Sequence, residues 1–329
     1  MPLTSEPKII KSGTQNQSVS NTQNQSVSNK PNNVHTLGHL DQKVRSKFIT
    51  NQLLFPLIDL KSPLNKSYWH TYYCCNILLQ DGKKLTSKYC DHRWCVTCNR
   101  IRTAQAIHSY FNEVQSIKDR HFVTISRRNV TERNLRTEID DLIKDFAKCI
   151  RKVKRSLKTK IKAIRKLEIT FNPNTNEYHP HFHIITSGHV GNLIIQTWLG
   201  MQGIKASIKG QDIRPSNVGD TIELFKYTTK LFKIERKRKT PDGKQIIEID
   251  AKPLDKMFQA LKNRKTFQAY GLTKQVPEQI ENIMSQQYEC LDERIEIWHW
   301  DEGIHNWVTA LGEILTPTNH SDYYSILIK

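Results

Sequence analysis

A chain of 329 residues has room for one large or two modest domains, each with its own core. Its 50 Lys+Arg against 32 Asp+Glu leave a formal net charge of +18, a one-signed excess that points to a polyanionic partner, nucleic acid ahead of an anionic membrane surface. No run reaches the ~20 apolar residues that span a bilayer, and the N-terminus lacks the apolar core of a signal peptide, so the expected location is the cytoplasm, with no membrane partner.

Residues 1–40 read as a disordered tail, because a polar octet at 14–21 recurs at 22–29 and two such copies bury no core. Residues 41–118 read as a cysteine-rich element followed by a helix. Its first part, around Leu53, Leu54, Phe55 and Pro56, suggests a short helix and a turn. Seven cysteines, an odd number with three closely grouped, suit a reducing compartment and metal binding better than a disulfide framework. Cys95 and Cys98 form a CxxC pair, with Cys90 upstream and Cys74-Cys75 before an Asp81-Gly82 turn. One of Cys74 or Cys75 would complete a four-cysteine Zn2+ site, with His92 as an alternative fourth ligand. The plainer reading is a small core of reduced thiols. A redox CxxC is disfavoured, since no thioredoxin-like βαβ pattern surrounds it. Ile101, Ala104, Ile107, Phe111 and Val114 then mark an amphipathic helix.

Residues 119–275 carry the chemistry. Residues 121–126 read as a strand, and 131–160 as a long helix whose stripe is Leu135, Ile139, Leu142, Phe146, Ile150, Val153 and Leu157. Its far half is basic (Lys148, Arg151, Lys152, Lys154, Arg155, Lys158), either a solvated face or a DNA-backbone contact, and Cys149 is packing. Residues 166–171 form another strand, 172–176 a turn, and 178–186 a strand bearing His179, His181 and His183 on one face. A turn centred between Asn174 and Thr175 sets Glu168 across from His181. Glu168, His181 and His183 would then offer a carboxylate and two imidazoles to Mg2+ or Mn2+. His179 is left out of the ligand set, because Pro180 can bend the strand. After a short helix at 193–199, Asp220 reads as the N-cap of a helix running to Lys230 that places Glu223, Tyr227 and Lys230 on one face and Ile222, Phe225, Thr229 and Phe232 on another. Tyr227 is the candidate nucleophile and Glu223 a candidate catalytic carboxylate; the plainer alternatives are a buried Tyr and a capping-box Glu. Residues 233–252 suggest an exposed hairpin or loop and 254–262 a helix. Residues 276–329 are expected to add a helix and a hairpin whose Trp298, Trp300 and Trp307 serve as core or as base-stacking platforms.

The strand Phe122-Val123-Thr124-Ile125-Ser126, the His181-Phe182-His183 strand and Lys226-Tyr227-Thr228-Thr229-Lys230 follow the order of the three motifs of HUH endonucleases. Over roughly residues 70–271 the chain resembles the Rep proteins of bacterial rolling-circle plasmids, specifically the class whose single Tyr follows a Glu by four residues, as Tyr227 follows Glu223. The resemblance implies an α+β HUH endonuclease fold, a central antiparallel β-sheet with helices packed on one face, beside the N-terminal cysteine-rich element. It implies a metal-dependent, site-specific nick at the plasmid's double-strand origin, through a 5′-phosphotyrosyl intermediate on Tyr227 that frees a 3′-OH primer. The phenolate would need help from the metal, Lys230 or phosphate geometry, and Glu223 would activate water for termination. With no Walker-type loop in the sequence, unwinding would fall to a host helicase and synthesis to a host polymerase. The competing readings are an HUH relaxase or transposase, a non-catalytic zinc-dependent DNA-binding regulator, and a metal-dependent phosphatase.

Overall fold

A computed structural model describes residues 34–81, 84–157, 160–226, 235–239, 245–275 and 295–317. Its centre is a long hairpin of β4 (Ala163–Asn172) and β5 (Glu177–Ser187), paired from Ala163↔Thr186 to Asn172↔Glu177. Asn176 turns it with φ +55, a conformation Asn tolerates better than most residues. With β3 (Arg120–Ser126), β6 (Asp212–Pro215) and β9 (Phe267–Tyr270) the hairpin forms an antiparallel sheet of order β6-β3-β5-β4-β9. Gly271 ends β9 at φ +61 with its backbone against Ile161; a Cβ there would lie 2.1 Å from the Ile161 carbonyl oxygen.

Strand alternation sorts the sheet into two unlike faces. Val123, Ile125, Leu167, Ile169, Phe182 and Ile184 face a core closed by α4 (Glu132–Ser156), α5 (Gly188–Gln202) and α7 (Ala251–Leu261). The α4 stripe from Leu135 to Val153 is buried there, as is Cys149, and Leu157 lies partly buried at its end. On the opposite face lie Glu168, His181 and His183 and, one same-face pair beyond Lys166↔His183, the apolar Ile164 and Ile185. That apolar end needs its own cover. Val114 of α3 (Val96–Gln115) and Leu224 and Phe225 of α6 (Val218–Phe225) supply it. Helices therefore pack on both faces, not on one as the resemblance implies. Because α4 covers the far face, its exposed Lys148, Arg151, Lys152, Lys154 and Arg155 point away from the His-bearing face, which favours a solvated surface for them.

A second antiparallel sheet, of order β11-β10-β1-β2, joins distant parts of the chain. β1 (Ile77–Asp81) and β2 (Lys84–Ser87) form a hairpin, and β10 (Glu296–Asp301) with β11 (Asn306–Val308) adds to it through Leu78↔Trp298. Trp298, Trp300 and Trp307 pack with the cysteines, Phe48 and Leu78, so they are core and not base platforms. The C-terminal hairpin thus belongs to the cysteine unit rather than standing as an extension. α1 (Val34–Asp59) also corrects the first reading: it starts inside the stretch taken for a tail and runs past Pro56 as one long helix. The two sheets are tied by α2 (Asn65–Tyr72), whose Tyr68 hydroxyl donates to Asp255 of α7 at 2.6 Å. Arg93, between the cysteines, donates to the Arg264 carbonyl, and Arg264 donates to Asp140 of α4 at 2.6 Å. β7 (Glu235–Lys239) and β8 (Gln245–Ile249) pair as the expected charged hairpin. The octet repeat and the helix expected after Pro277 lie outside the described residues. Among the described residues no helix is long and apolar enough to cross a membrane.

Candidate active site

The β4–β5 register pairs Glu168 with His181, and His183 follows two residues on. The His181 and His183 Nε2 atoms lie 3.2 Å apart, and a Glu168 Oε2 sits 3.3 Å from His183 Nε2 and 3.8 Å from His181 Nε2. Each imidazole is held by its other nitrogen: His181 Nδ1 donates to the His179 carbonyl at 2.9 Å, and His183 Nδ1 meets Thr124 Oγ1 at 3.1 Å. Both Nε2 atoms are thereby turned toward the carboxylate, the arrangement that orients metal-binding histidines. Burial, then the neighbouring His183, pushes His181 down to about 3, so it stays neutral and able to ligate. Burial works against the Glu168 charge, yet the His183 hydrogen bond and the Lys166 cation hold its carboxyl well below the usual range. Donor atoms on an octahedral ion with ~2.1 Å bonds sit ~3 Å apart, so this two-His, one-carboxylate set fits a Mg2+ or Mn2+ ion. His179 turns instead to Asn129, its Nδ1 2.8 Å from Oδ1.

Cys74, Cys90, Cys95 and Cys98 converge in the other unit, all four buried. Their sulfurs lie 3.6 Å apart for Cys74–Cys98 and Cys90–Cys98, and 3.7 Å for Cys74–Cys95. Zn–S bonds of ~2.3 Å in a tetrahedron give S···S edges of ~3.8 Å, so the cluster fits a structural metal. Backbone amides donate to three of the sulfurs: Cys90 N to Cys74, His92 N to Cys90 and Cys98 N to Cys95. Of the alternatives for the fourth ligand, Cys75 is turned away at φ +62, and its carbonyl accepts from Trp307 Nε1 at 2.9 Å. His92 is taken up by Thr71 Oγ1 at 2.9 Å and stacks on Trp94.

The Tyr-bearing helix differs from its expected form. Asn217, not Asp220, is the N-cap, and Asp220 completes the capping box from inside the first turn. Glu223 therefore has no capping duty; it is exposed and pairs with Lys226 Nζ at 3.1 Å. α6 stops at Phe225, with Lys226 extended at φ −69, ψ 121, and Ile222 is exposed while Phe225 is buried. Tyr227, Thr229, Lys230 and Phe232 lie outside the described residues. Two residues missed in the sequence stand out. Thr124, on the same strand face as Phe122 and Ser126, orients His183, a role that alternation alone could have suggested. Lys166, two residues before Glu168 on its face, is buried, and its Nζ lies 2.7 Å from Glu168 Oε1.

Comparison with known proteins agrees in kind. Residues 82–187, from the β1–β2 hairpin through β5, match the model of a family described as replication protein. That segment holds Cys90, Cys95, Cys98, Glu168, His181 and His183 and stops before α6. A curated Protein rep of Staphylococcus aureus is 26% identical over 207 residues, covering 57% of this chain and 88% of that protein. Proteins of the same name from Streptococcus pneumoniae and a Bacillus species are each 30% identical, over 105 and 112 residues. Those matches take in 30% and 31% of this chain, and 32% and 35% of the two relatives. No solved structure matches. The chain is thus similar, from the β1–β2 hairpin through β5 and over most of the length of the Staphylococcus aureus protein, to replication proteins of the Rep type.

Proposed function

We propose that this protein starts rolling-circle replication of a plasmid by nicking one strand of its double-strand origin, as a single-Tyr nuclease of the HUH type. The observation that carries the reading is the convergence of Glu168, His181 and His183, with each imidazole locked by its second nitrogen. A Mg2+ or Mn2+ ion held by these three would polarise the scissile phosphate and offset its charge. The Tyr227 oxygen attacks phosphorus, the 3′-oxygen departs and takes up a proton, and a 5′-phosphotyrosyl bond replaces the phosphodiester. One ester is exchanged for another, so the nick needs no ATP, and the 3′-OH primes synthesis by a host polymerase behind a host helicase. A tyrosine's ordinary pKa of about 10 makes its phenolate scarce, and Lys230, three residues further in the sequence, is the candidate to favour it. Glu223, exposed beside Lys226 at the end of α6, is the candidate base that activates water to close the cycle. The four-cysteine cluster serves as a structural Zn2+ site, and the +18 charge draws the DNA backbone.

The test incubates purified protein with Mn2+ or Mg2+ and single-stranded DNA spanning its own origin, followed by denaturing gels and peptide mass spectrometry. The expected result is a nucleotide adduct on Tyr227 that disappears with chelator and in Tyr227→Phe. Tight DNA binding without an adduct at any metal or fragment would instead make the chain a zinc-dependent DNA-binding regulator.

A further inference from the structure

We infer that Lys166 is a positioning residue that clamps the Tyr-bearing segment to the metal-binding carboxylate. The inference rests on the active-site reading above. Lys166 is 6% exposed on β4, and one ammonium serves two partners. It pairs with Glu168 Oε1 at 2.7 Å, and it donates to the carbonyl of Lys226, the residue immediately before Tyr227. That carbonyl lies just past the end of α6, where backbone oxygens have lost their helical N–H partners and a cation is the favoured replacement. The preceding carbonyl, of Phe225, is held from the other side by Thr103 Oγ1 of α3 at 3.2 Å. The chain therefore leaves α6 between two anchors. One of them is bonded directly to a residue of the metal triad. A Lys is costly to bury, and a hydrogen bond to Glu168 alone would not require a side chain long enough to span both partners. The double engagement sets the backbone at residue 226 against the carboxylate, and thereby the approach of the Tyr227 oxygen to the phosphate.

The test uses the full-length, zinc-loaded protein carrying 3-fluorotyrosine at position 227, with Mn2+ as the probe. In the wild type, Mn2+ should broaden the fluorine resonance strongly through paramagnetic relaxation. In Lys166→Met, Mn2+ should bind no more weakly, measured by electron paramagnetic resonance, because a cation beside the site has been removed. The broadening should nevertheless fall, and kcat for adduct formation should drop about 100-fold at unchanged KM for origin DNA, the scale expected for an attacking group displaced by ~1 Å. Lys166→Gln keeps an N–H donor for the Lys226 carbonyl and should restore part of both the broadening and the rate. Broadening and kcat equal to the wild type in Lys166→Met would overturn the inference, as would Met and Gln variants that behave alike. If Mn2+ fails to bind or to broaden the resonance in the wild type, the active-site reading itself falls, and this inference with it.

Discussion

Trp307→Ala isolates how far the C-terminal hairpin holds the cysteine unit. The indole is fully buried, meets Trp300 edge-on at 4.8 Å, and donates to the Cys75 carbonyl at 2.9 Å across 232 residues of sequence. Truncating a buried Trp costs about 3–5 kcal/mol. The upper half of that range applies here, because the Cys75 carbonyl loses its donor inside a sealed core, itself worth about 1–3 kcal/mol. At about 2–4 °C per kcal/mol, the melting temperature should fall by on the order of 10 °C. Zn2+ supplied to the cluster that contains the adjoining Cys74 should then be lost to EDTA faster than from the wild type, followed by elemental analysis of the desalted protein. Ile297→Ala is the control: on the neighbouring strand β10 of the same hairpin but 41% exposed, it should change stability by less than about 0.5 kcal/mol. If Trp307→Ala melts and retains metal like the wild type, the hairpin is an appendage and the joint sheet is not a structural unit.

Two further outcomes follow from the cluster of Glu168, His181 and His183. Thr124→Val keeps the shape of the side chain but removes the oxygen 3.1 Å from His183 Nδ1, and should weaken Mn2+ binding about 10- to 100-fold in a titration followed by electron paramagnetic resonance; unchanged affinity would show that Thr124 does not orient the ring. His181 titrates near 3 when folded against 6.5 for a free imidazole, so below pH 6.5 the unfolded chain binds a proton that the folded one refuses. Metal-stripped protein should therefore lose stability as pH falls through that window, and His181→Gln should lose less, read from urea midpoints; parallel curves would refute the assignment.

The site was legible where its determinants are local. Alternation put His181 and His183 on one face, and the Asn-rich turn at 172–176 fixed the register that brings Glu168 opposite. The same alternation also put Ile164 and Ile185 on that face, so the need for a second helical layer was written in the strands. Other features depend on partners far along the chain. Nothing near Cys74-Cys75 distinguishes the two thiols; the choice follows from the left-handed turn at Cys75 and the indole that binds its carbonyl. The pairing of Leu78 with Trp298 closes a sheet across most of the sequence, where no local period can announce it. The end of α6 is of the same kind. Helical spacing continues through residue 230, whereas the backbone turns out at Lys226 and its carbonyl goes to a lysine 60 residues away.

α3 links the two halves physically. Its N-cap is Cys95, whose sulfur accepts from the Cys98 amide, so the helix starts inside the four-sulfur cluster. Eight positions past that cap Thr103 grips the Phe225 carbonyl, and near its end Val114 packs with Ile164 and Ile185 beside Glu168, His181 and His183 on the same sheet face. A helix is stiff along its axis, with one cooperative ladder of hydrogen bonds from first turn to last. Fraying its first turn by loosening the sulfurs would therefore act on the residue that holds the exit of α6. The cysteine cluster, far from α6 in sequence, is on this argument a support for the backbone that leaves α6 at Phe225 and Lys226.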